Sequence, residues 1–332
     1  MQKNYGIRFL SLSGSVPSKI VRNSDLEKLF NTTDEWIFSR TGIKERRVVS
    51  ENESGLSLSA DAARKAIKDA NINPEDIDLI IVSTATPDKL YPSMACQLQG
   101  IIGAKNAVCF DISAACSGFV FGIATAAQFI YTGQYKNILL VGVDIHSRFV
   151  DWSERSVAIL FGDGAGAVLM SSGLAKDDEL GGFVIHSASD KNYDLVLDNS
   201  NVFYSSFKKE SNPNFVSMNG KAIYQFAVTS VPAVINEVLD KLTLTINDID
   251  YFVLHQANQR IIDAVGEKLK IDKSKMLSNI SNVGNTSAAS IPLAICDYMN
   301  AKKLKFPARF LLVGFGAGLT WGAAVVNFNF QK

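Results

Sequence analysis

Cys116, His255 and Asn285 are the residues whose types and settings point to chemistry in this chain. Cys116 stands near the front of "FDISAACSGFVFGIATAAQFIY" (110–131), where a strand-like run gives way to a long apolar stretch. A helix N-terminus at that point offers free N–H groups and a partial positive charge, which favour the nucleophilic thiolate and so a depressed thiol pKa. A cysteine taken alone is more often a small buried apolar residue. Cys109 and Cys296, inside strand and helix patterns, keep that reading, and the position of Cys116 sets it apart. His255 is one of three histidines. It follows "YFVL" and precedes "QANQR", so it lies at the carboxyl end of a strand, where α/β proteins gather their chemistry. His186, in "FVIHSAS", reads as structural. Asn285, in "VGNTSAAS", sits between a glycine and two hydroxyl residues, and alone it is a turn asparagine.

The elements that must position these residues belong to an ordinary globular chain. Its 332 residues are 47% hydrophobic and 20% charged, with 33 basic residues balancing 33 acidic ones. A neutral chain has no general reason to seek nucleic acid or an anionic membrane. The four cysteines (Cys96, Cys109, Cys116, Cys296) form no C-x-x-C pair and no metal-ligand spacing, which predicts free thiols in a reducing compartment and no metal site. The N-terminus lacks the long apolar core of a secretory signal. The stretch 114–131 holds eighteen residues without a charge and includes Gly118 and Gly122 at the spacing of packed membrane helices. It also contains Thr125 and Gln128, ends near Gly133, and lies between the strand-like runs "NAVCF" and "KNILLVGVD". We read it as a buried helix over 116–131, the middle layer of a layered protein. No segment elsewhere is expected to reach the roughly 20 apolar residues of a membrane span.

The chain uses one pattern twice. "KAIKDANINPEDIDLIIV" (65–82) aligns with "EVLDKLTLTINDIDYFVL" (237–254), and "ILLVGVD" (138–144) with "FLLVGFG" (310–316), both displaced by 172 positions. "DISAACSGF" and "NISNVGNTSAAS" occupy comparable places without sharing that offset. Alternating strands and helices argue for α/β with buried sheets and two pseudo-twofold related halves. The polar region 171–215 reads as loops between the halves. The glycine-rich runs "GFGAG" and "FGDGAGAVLM" do not open a helix followed by an acidic residue about 20 positions on, so they read as tight backbone positions rather than nucleotide loops.

Taken together, "DISAACSGF", "LHQANQRIIDA", "GNTSAASIPLA" and "GFGAGLTWG" resemble, in order and spacing, the β-ketoacyl-acyl-carrier-protein synthase III family of thiolase-fold condensing enzymes. "TTDEWIFSRTGIKERR" (32–47) and "RFVDWSERSVAILFGDGAGA" (148–167) match as well, so the resemblance covers nearly the whole chain. It implies a five-layered αβαβα thiolase fold with an N-terminal half over 1–175 carrying the cysteine, connecting loops over 176–215, and a C-terminal half over 216–332 carrying His255 and Asn285. It implies a cytoplasmic homodimer (stromal if plastid-encoded) with no permanently bound cofactor. Acetyl-CoA or another short acyl-CoA would be one substrate and malonyl-acyl carrier protein the other, in the initiating condensation of type II fatty-acid synthesis. By motif, Cys116 is the acylated nucleophile, His255 and Asn285 complete the site, and the backbone N–H groups of Cys116 and Gly316 form an oxyanion hole. Trp36 and Arg155 match the residues that sandwich the adenine of coenzyme A. Thr32, Arg40, Gly220 and Asn258 match others along its channel. Arg260 matches a carrier-protein docking position, with Lys268 and Lys221 as further candidates. Tyr91 and His146 match positions at the acyl pocket, Tyr91 reaching across the dimer.

Neighbouring chemistries fit less well. Elongating synthases use Cys-His-His, and biosynthetic thiolases need a second cysteine that "GFGAGLTWG" lacks. A specialised relative loading an unusual starter, or a non-catalytic acyl-binding subunit, are the alternatives. Three residues depart from the family pattern. His146 stands where an apolar residue is common, Tyr224 replaces a phenylalanine, and Gln225 stands where a lysine often assists docking.

Overall fold

Successive residues of the run 79–83 face opposite sides: Leu79 and Ile81 join one apolar core, Ile80 and Val82 another. Residues 310–313 behave alike, with Phe310 and Leu312 in the first core and Leu311 and Val313 in a third. Sheets buried on both faces explain why these strands read as continuous apolar runs rather than as alternation.

The computed structural model describes residues 5–197 and 215–330. In chain order it begins with β1 (Tyr5–Ser15), β2 (Lys19–Arg22), α1 (Asn23–Leu26), α2 (Asp34–Thr41), β3 (Glu45–Val48), α3 (Gly55–Ala70), β4 (Leu79–Ser83) and α4 (Met94–Ile102). There follow β5 (Val108–Ile112), α5 (Gly118–Tyr131), β6 (Asn137–Ile145), α6 (Arg155–Ala158), β7 (Asp163–Leu174), β8 (Leu180–Ser187), β9 (Leu195–Leu197) and β10 (Val216–Met218). The last part holds α7 (Gly220–Lys241), β11 (Tyr251–Leu254), α8 (Gln259–Leu269), α9 (Ile280–Val283), α10 (Ser290–Asn300), β12 (Ala308–Gly316) and β13 (Thr320–Phe328). One sheet has the order β1-β7-β6-β4-β5 and the other β11-β12-β13-β8. Helices α5 and α10 fill the space between them, α3 and α4 cover the outer face of the first, and α7 and α8 that of the second. These are the five αβαβα layers.

The two sheets repeat one connectivity. In the first, β1, β7 and β6 are antiparallel neighbours and β6 runs parallel to β4. In the second, β8, β13 and β12 are antiparallel neighbours and β12 runs parallel to β11. The repeat reaches further than the sequence alignment. A single 3₁₀ turn, Ala115–Ser117, precedes α5, and another, Ser287–Ala289, precedes α10. Ala115 and Ser287 are 172 positions apart and both are left-handed, at φ 44° and 50°. The segments that showed no common offset in sequence therefore share it in structure.

Three expectations are corrected. The helix expected over 116–131 begins at Gly118, because left-handed Ala115 diverts the chain into the turn that holds Cys116. Its small residues allow close packing in the core: a Cβ on Gly118 would collide with Ser83 Oγ, and one on Gly122 would lie 2.5 Å from Leu140 Cδ1. The stretch 176–215, expected as connecting loops, contains β8, an edge strand of the second sheet, and β9. β8 itself reads LGGFVIHS, but its paired glycines and the polar flanks AKDDE (175–179) and ASDKNYD (188–194) give the region a loop's composition; residues 198–214 lie outside the described residues. Finally, α7 has 22 residues and is apolar enough, by length and composition alone, to cross a membrane. In the fold Val231, Val234, Ile235 and Val238 are buried against the second sheet.

The two turns rest on glycines of the central strands. A Cβ on Gly142 would lie 2.6 Å from the Ala288 carbonyl oxygen, and one on Gly314 2.7 Å from Ser117 Cα. The obstacle is backbone in both cases, so it cannot rotate away. Gly314→Ala is expected to cost about 1–3 kcal/mol, the usual range for overpacking, read as a lower urea midpoint. It should also displace the Cys116 turn. A variant of unchanged midpoint would show that the contact is slack.

Candidate active site

Each chemical residue is fixed by backbone before its side chain enters the argument. Cys116 occupies the middle of the Ala115–Ser117 turn, and Ser117 ties that turn down by donating its hydroxyl to the Ala114 carbonyl at 2.7 Å. The backbone of Gly316, at the end of β12, lies against Cys116, where a Cβ would sit 2.8 Å from Cys116 Cβ. His255 follows β11, its N–H donating to the Val313 carbonyl at 2.7 Å. Asn285 is pinned from both sides: its N–H donates to the Leu160 carbonyl, and its carbonyl accepts from Gly162 N–H, each at 2.9 Å. Its Oδ1 accepts the Ser287 N–H at 3.0 Å, which leaves Nδ2 as the donor available to the cavity.

Cys116, His255, Asn285 and Gly316 line one cavity of about 360 Å³. Its walls are mainly apolar, from Leu160, Phe161, Met218, Ile223, Ile261 and Phe315, and Leu195 of β9 helps to close it. Gly220, Lys221, Tyr224, Asn258 and Arg260 also line it. A few polar groups converging in an apolar pocket is the usual form of a small-molecule site.

Burial decides the protonation states. The Cys116 thiol is pushed up to about 12, chiefly by desolvation and further by the charge of Asp144, while hydrogen bonds from Ser287 and from its own backbone act against this. The depressed thiol pKa expected from a helix start is therefore overturned: at neutral pH this residue is a thiol. His255 moves the other way, to about 3, because burial disfavours the imidazolium and His146 adds a repulsive charge. It is neutral across the physiological range. Its Nδ1 lies 2.8 Å from the buried Ser290 hydroxyl, a hydrogen bond to the Ser287 backbone acts against the downward shift, and its ring meets Phe315 edge-on at 5.1 Å.

The remaining expected residues fall into three groups. Gly220 and Asn258 line the cavity, and Asn258 caps α8 through Arg260 N–H while donating to the Arg40 carbonyl at 3.1 Å. Thr32, Trp36, Arg40 and Arg155 do not line it. The guanidinium of Arg155 lies over the half-exposed Trp36 ring at 4.5 Å and donates to the Asn31 carbonyl; Arg40 approaches the same ring at 5.8 Å. Thr32 Oγ1 is buried with no hydrogen-bond partner among the described residues. Arg260 and Lys221 line the cavity, Arg260 lying over Tyr224 at 5.8 Å, whereas Lys268 lies farther along α8, bonded to the Val228 carbonyl. Tyr91 and His146 do not line the cavity. Tyr91 is 86% exposed. His146 is buried behind Phe161, its ring stacked on that side chain at 4.6 Å with its Nδ1 unpartnered among the described residues, so Phe161 rather than His146 presents the wall. His186 pairs with Glu237 at 2.7 Å, joining β8 to α7.

Sequence reasoning missed Ser287, Ser290 and Asp144. Asp144 is fully buried and accepts from Thr84 and Thr86 hydroxyls, from the N–H groups of Ala85 and Thr86, and from Ala288 N–H at 3.3 Å. It ties the first half to the turn of the second. The offset of 172 applied to Ala115 would have pointed to Ser287.

The neutral His255 has a testable consequence for stability. The unfolded chain takes up a proton near pH 6.5, whereas the folded chain resists until about 3. The stability linked to this group is therefore complete above 6.5 and lost as pH falls through that window, at no more than about 1.4 kcal/mol per pH unit. His255→Gln is expected to lose urea midpoint less steeply than the parent between pH 6 and 4. Equal slopes would show that the ring is protonated in the fold.

Known proteins share these features. Residues 110–189 match the family model described as 3-oxoacyl-[acyl-carrier-protein (ACP)] synthase III, and residues 239–328 the model for its C-terminal part. A β-ketoacyl-[acyl-carrier-protein] synthase III of Nostoc is 47% identical over 98% of this chain and 99% of its own length. The crystal structure of 3-oxoacyl-[acyl-carrier-protein] synthase III from Aquifex aeolicus superposes with a TM-score of 0.90 at 39% identity, covering 97% of this chain and all of that one. The priming β-ketosynthase of the R1128 polyketide biosynthetic pathway superposes at 0.92 with 30% identity, covering 99% and 98%. With its thiolase fold and the cysteine, histidine and asparagine gathered on one cavity, the chain belongs to the 3-oxoacyl-[acyl-carrier-protein] synthase III family of condensing acyltransferases.

Proposed function

We propose that this initiating condensing enzyme moves an acyl group, acetyl by preference, from acyl-CoA to Cys116 and condenses it with malonyl-acyl carrier protein, giving 3-ketoacyl-carrier protein, CO₂ and CoA. The observation that carries this reading is the convergence of a thiol, a neutral imidazole and an oriented amide on one apolar cavity.

In the first half-reaction the Cys116 sulfur attacks the thioester carbonyl, the bond to the CoA sulfur breaks, and the thiol proton ends on CoA. One thioester replaces another, so the step is nearly balanced in free energy. In the second, the malonyl C–CO₂ bond breaks and its electron pair moves toward the thioester oxygen. Nε2–H of His255 and Nδ2–H of Asn285 donate to that oxygen, in the tautomer in which His255 Nδ1 accepts from the Ser290 hydroxyl 2.8 Å away. Because the ring is neutral before and after, it gives the hydrogen bond without surrendering a proton. The carbanion attacks the acyl-cysteine carbonyl, whose oxygen meets the N–H groups of Cys116 and Gly316; the Cys116 sulfur leaves as thiolate and takes up one proton from solvent to restore the resting thiol.

Coenzyme A would enter past Gly220 and Asn258, with its adenine displacing Arg155 from Trp36 and Thr32 and Arg40 beside it. Arg260 and Lys221, at the cavity, meet an acidic carrier protein better than Lys268 does, and rim charges act mainly on encounter. The active form is a homodimer of the cytoplasm, or of the stroma if plastid-encoded, with exposed Tyr91 meeting the partner. Priming with an unusual starter is favoured only by the likeness to the polyketide priming enzyme, at lower identity.

Two experiments test this. Intact-protein mass spectrometry after acetyl-CoA treatment is expected to show a single acetyl adduct, absent from Cys116→Ser; an adduct of equal yield in the variant would remove Cys116 from the reaction. His255→Ala and Asn285→Ala are each expected to slow malonyl decarboxylation by about 10²–10³, the usual cost of one such donor, and to slow acyl transfer less. The reverse ranking would assign the two side chains to the wrong half-reaction.

A further inference from the structure

Ser287 is buried, 1% exposed, and its hydroxyl donates to Cys116 Sγ at 3.3 Å. It occupies the left-handed position of the second turn, which Ala115 fills in the first. The fold thus needs no hydroxyl there, since alanine takes the same conformation in the same chain. A buried hydroxyl costs free energy unless it is bonded, and this one is aimed at sulfur. A thiol is a weak acceptor and a thiolate a strong one. The bond therefore tightens as negative charge develops on Sγ, which is the condition for an interaction to accelerate a step rather than merely hold the ground state.

Resting on the condensing reaction proposed above, we infer that Ser287 is a further catalytic residue, whose hydroxyl stabilises the charge on the Cys116 sulfur as it attacks acyl-CoA and again as it leaves the condensation product. The hydroxyl keeps its proton throughout; the thiol proton departs with CoA. The same residue orients Asn285 through its backbone N–H, a bond that any residue at this position retains. Other ionisable groups facing Cys116 do not supply this stabilisation. Asp144, at the end of β6, opposes it, and His255, after β11, is neutral. The neighbouring strands present Gly316 and Thr320, which carry no charge. Burial holds the thiol high, and the Ser287 hydrogen bond is the side-chain contact that works against it.

The test needs no substrate in its first arm. Iodoacetamide alkylation of Cys116, resolved by peptide mapping, is followed at pH 7, 8 and 9 in the full-length protein and in Ser287→Ala, with exposed Cys96 as the internal reference. The expected result is a fall of about tenfold or more in the Cys116 rate at each pH, as befits a lost hydrogen bond to a charged group, with the Cys96 rate unchanged. Acyl transfer from acetyl-CoA should fall in parallel. Malonyl decarboxylation, measured in a Cys116→Ala background with and without Ser287→Ala, should stay within about twofold because the bond to Asn285 survives. An unchanged Cys116 alkylation rate would overturn the inference and leave the condensing reaction standing. Loss of decarboxylation in step with acylation would assign Ser287 a structural role and overturn it equally. Absence of an acetyl adduct on Cys116 in the parent protein would instead count against the reaction itself.

Discussion

Two left-handed residues govern this molecule. Ala115 turns the chain from β5 into α5 and Ser287 turns it from the short helix α9 into α10, each at an expected cost of about 1–3 kcal/mol for a non-glycine residue in that conformation. The turns that follow press on the opposing strands at Gly314 and Gly142. Only with backbone against backbone can α5 and α10 lie side by side between two sheets and deliver their first turns to one place. Cys116 comes from one turn and the contacts that orient Asn285 from the other. Asp144, reaching from β6 to Ala288 N–H, holds the two halves in register at the same point.

Placing the reaction centre between two sheets also sets its electrostatics. The same desolvation raises the thiol and lowers the imidazole, so both are uncharged at rest. A helix start in water would have favoured the thiolate; one covered by strands on both sides does not win against burial. The site consequently relies on hydrogen bonds that strengthen as charge appears, rather than on charges already present.

Much of this was legible in the sequence. The strand–helix alternation, the doubled pattern and the settings of Cys116, His255 and Asn285 follow from apolar runs and from position along them, and the fold brings those three residues to one cavity. Edge strand β8 was not legible, because its paired glycines and the polar segments on either side of it masked a short apolar run. The exact start of α5 depended on a backbone angle at Ala115, which alanine does not advertise. His146 was misplaced because motif position fixes a residue's location along the chain but not which side of Phe161 its ring occupies. Ser287 escaped notice because a serine in a polar turn is commonplace, and only its distance to sulfur distinguishes it.

The stack of Arg155 on Trp36 has a consequence for what that half-exposed ring can bind. An indole face left bare would attract planar molecules indiscriminately, and a tightly held ligand would leave it slowly. Here the guanidinium is an internal competitor, tethered at high effective concentration. Any planar group that takes its place does so by substitution, and the vacated face is covered again as that group departs. Affinity at that face is thereby traded for rapid exchange.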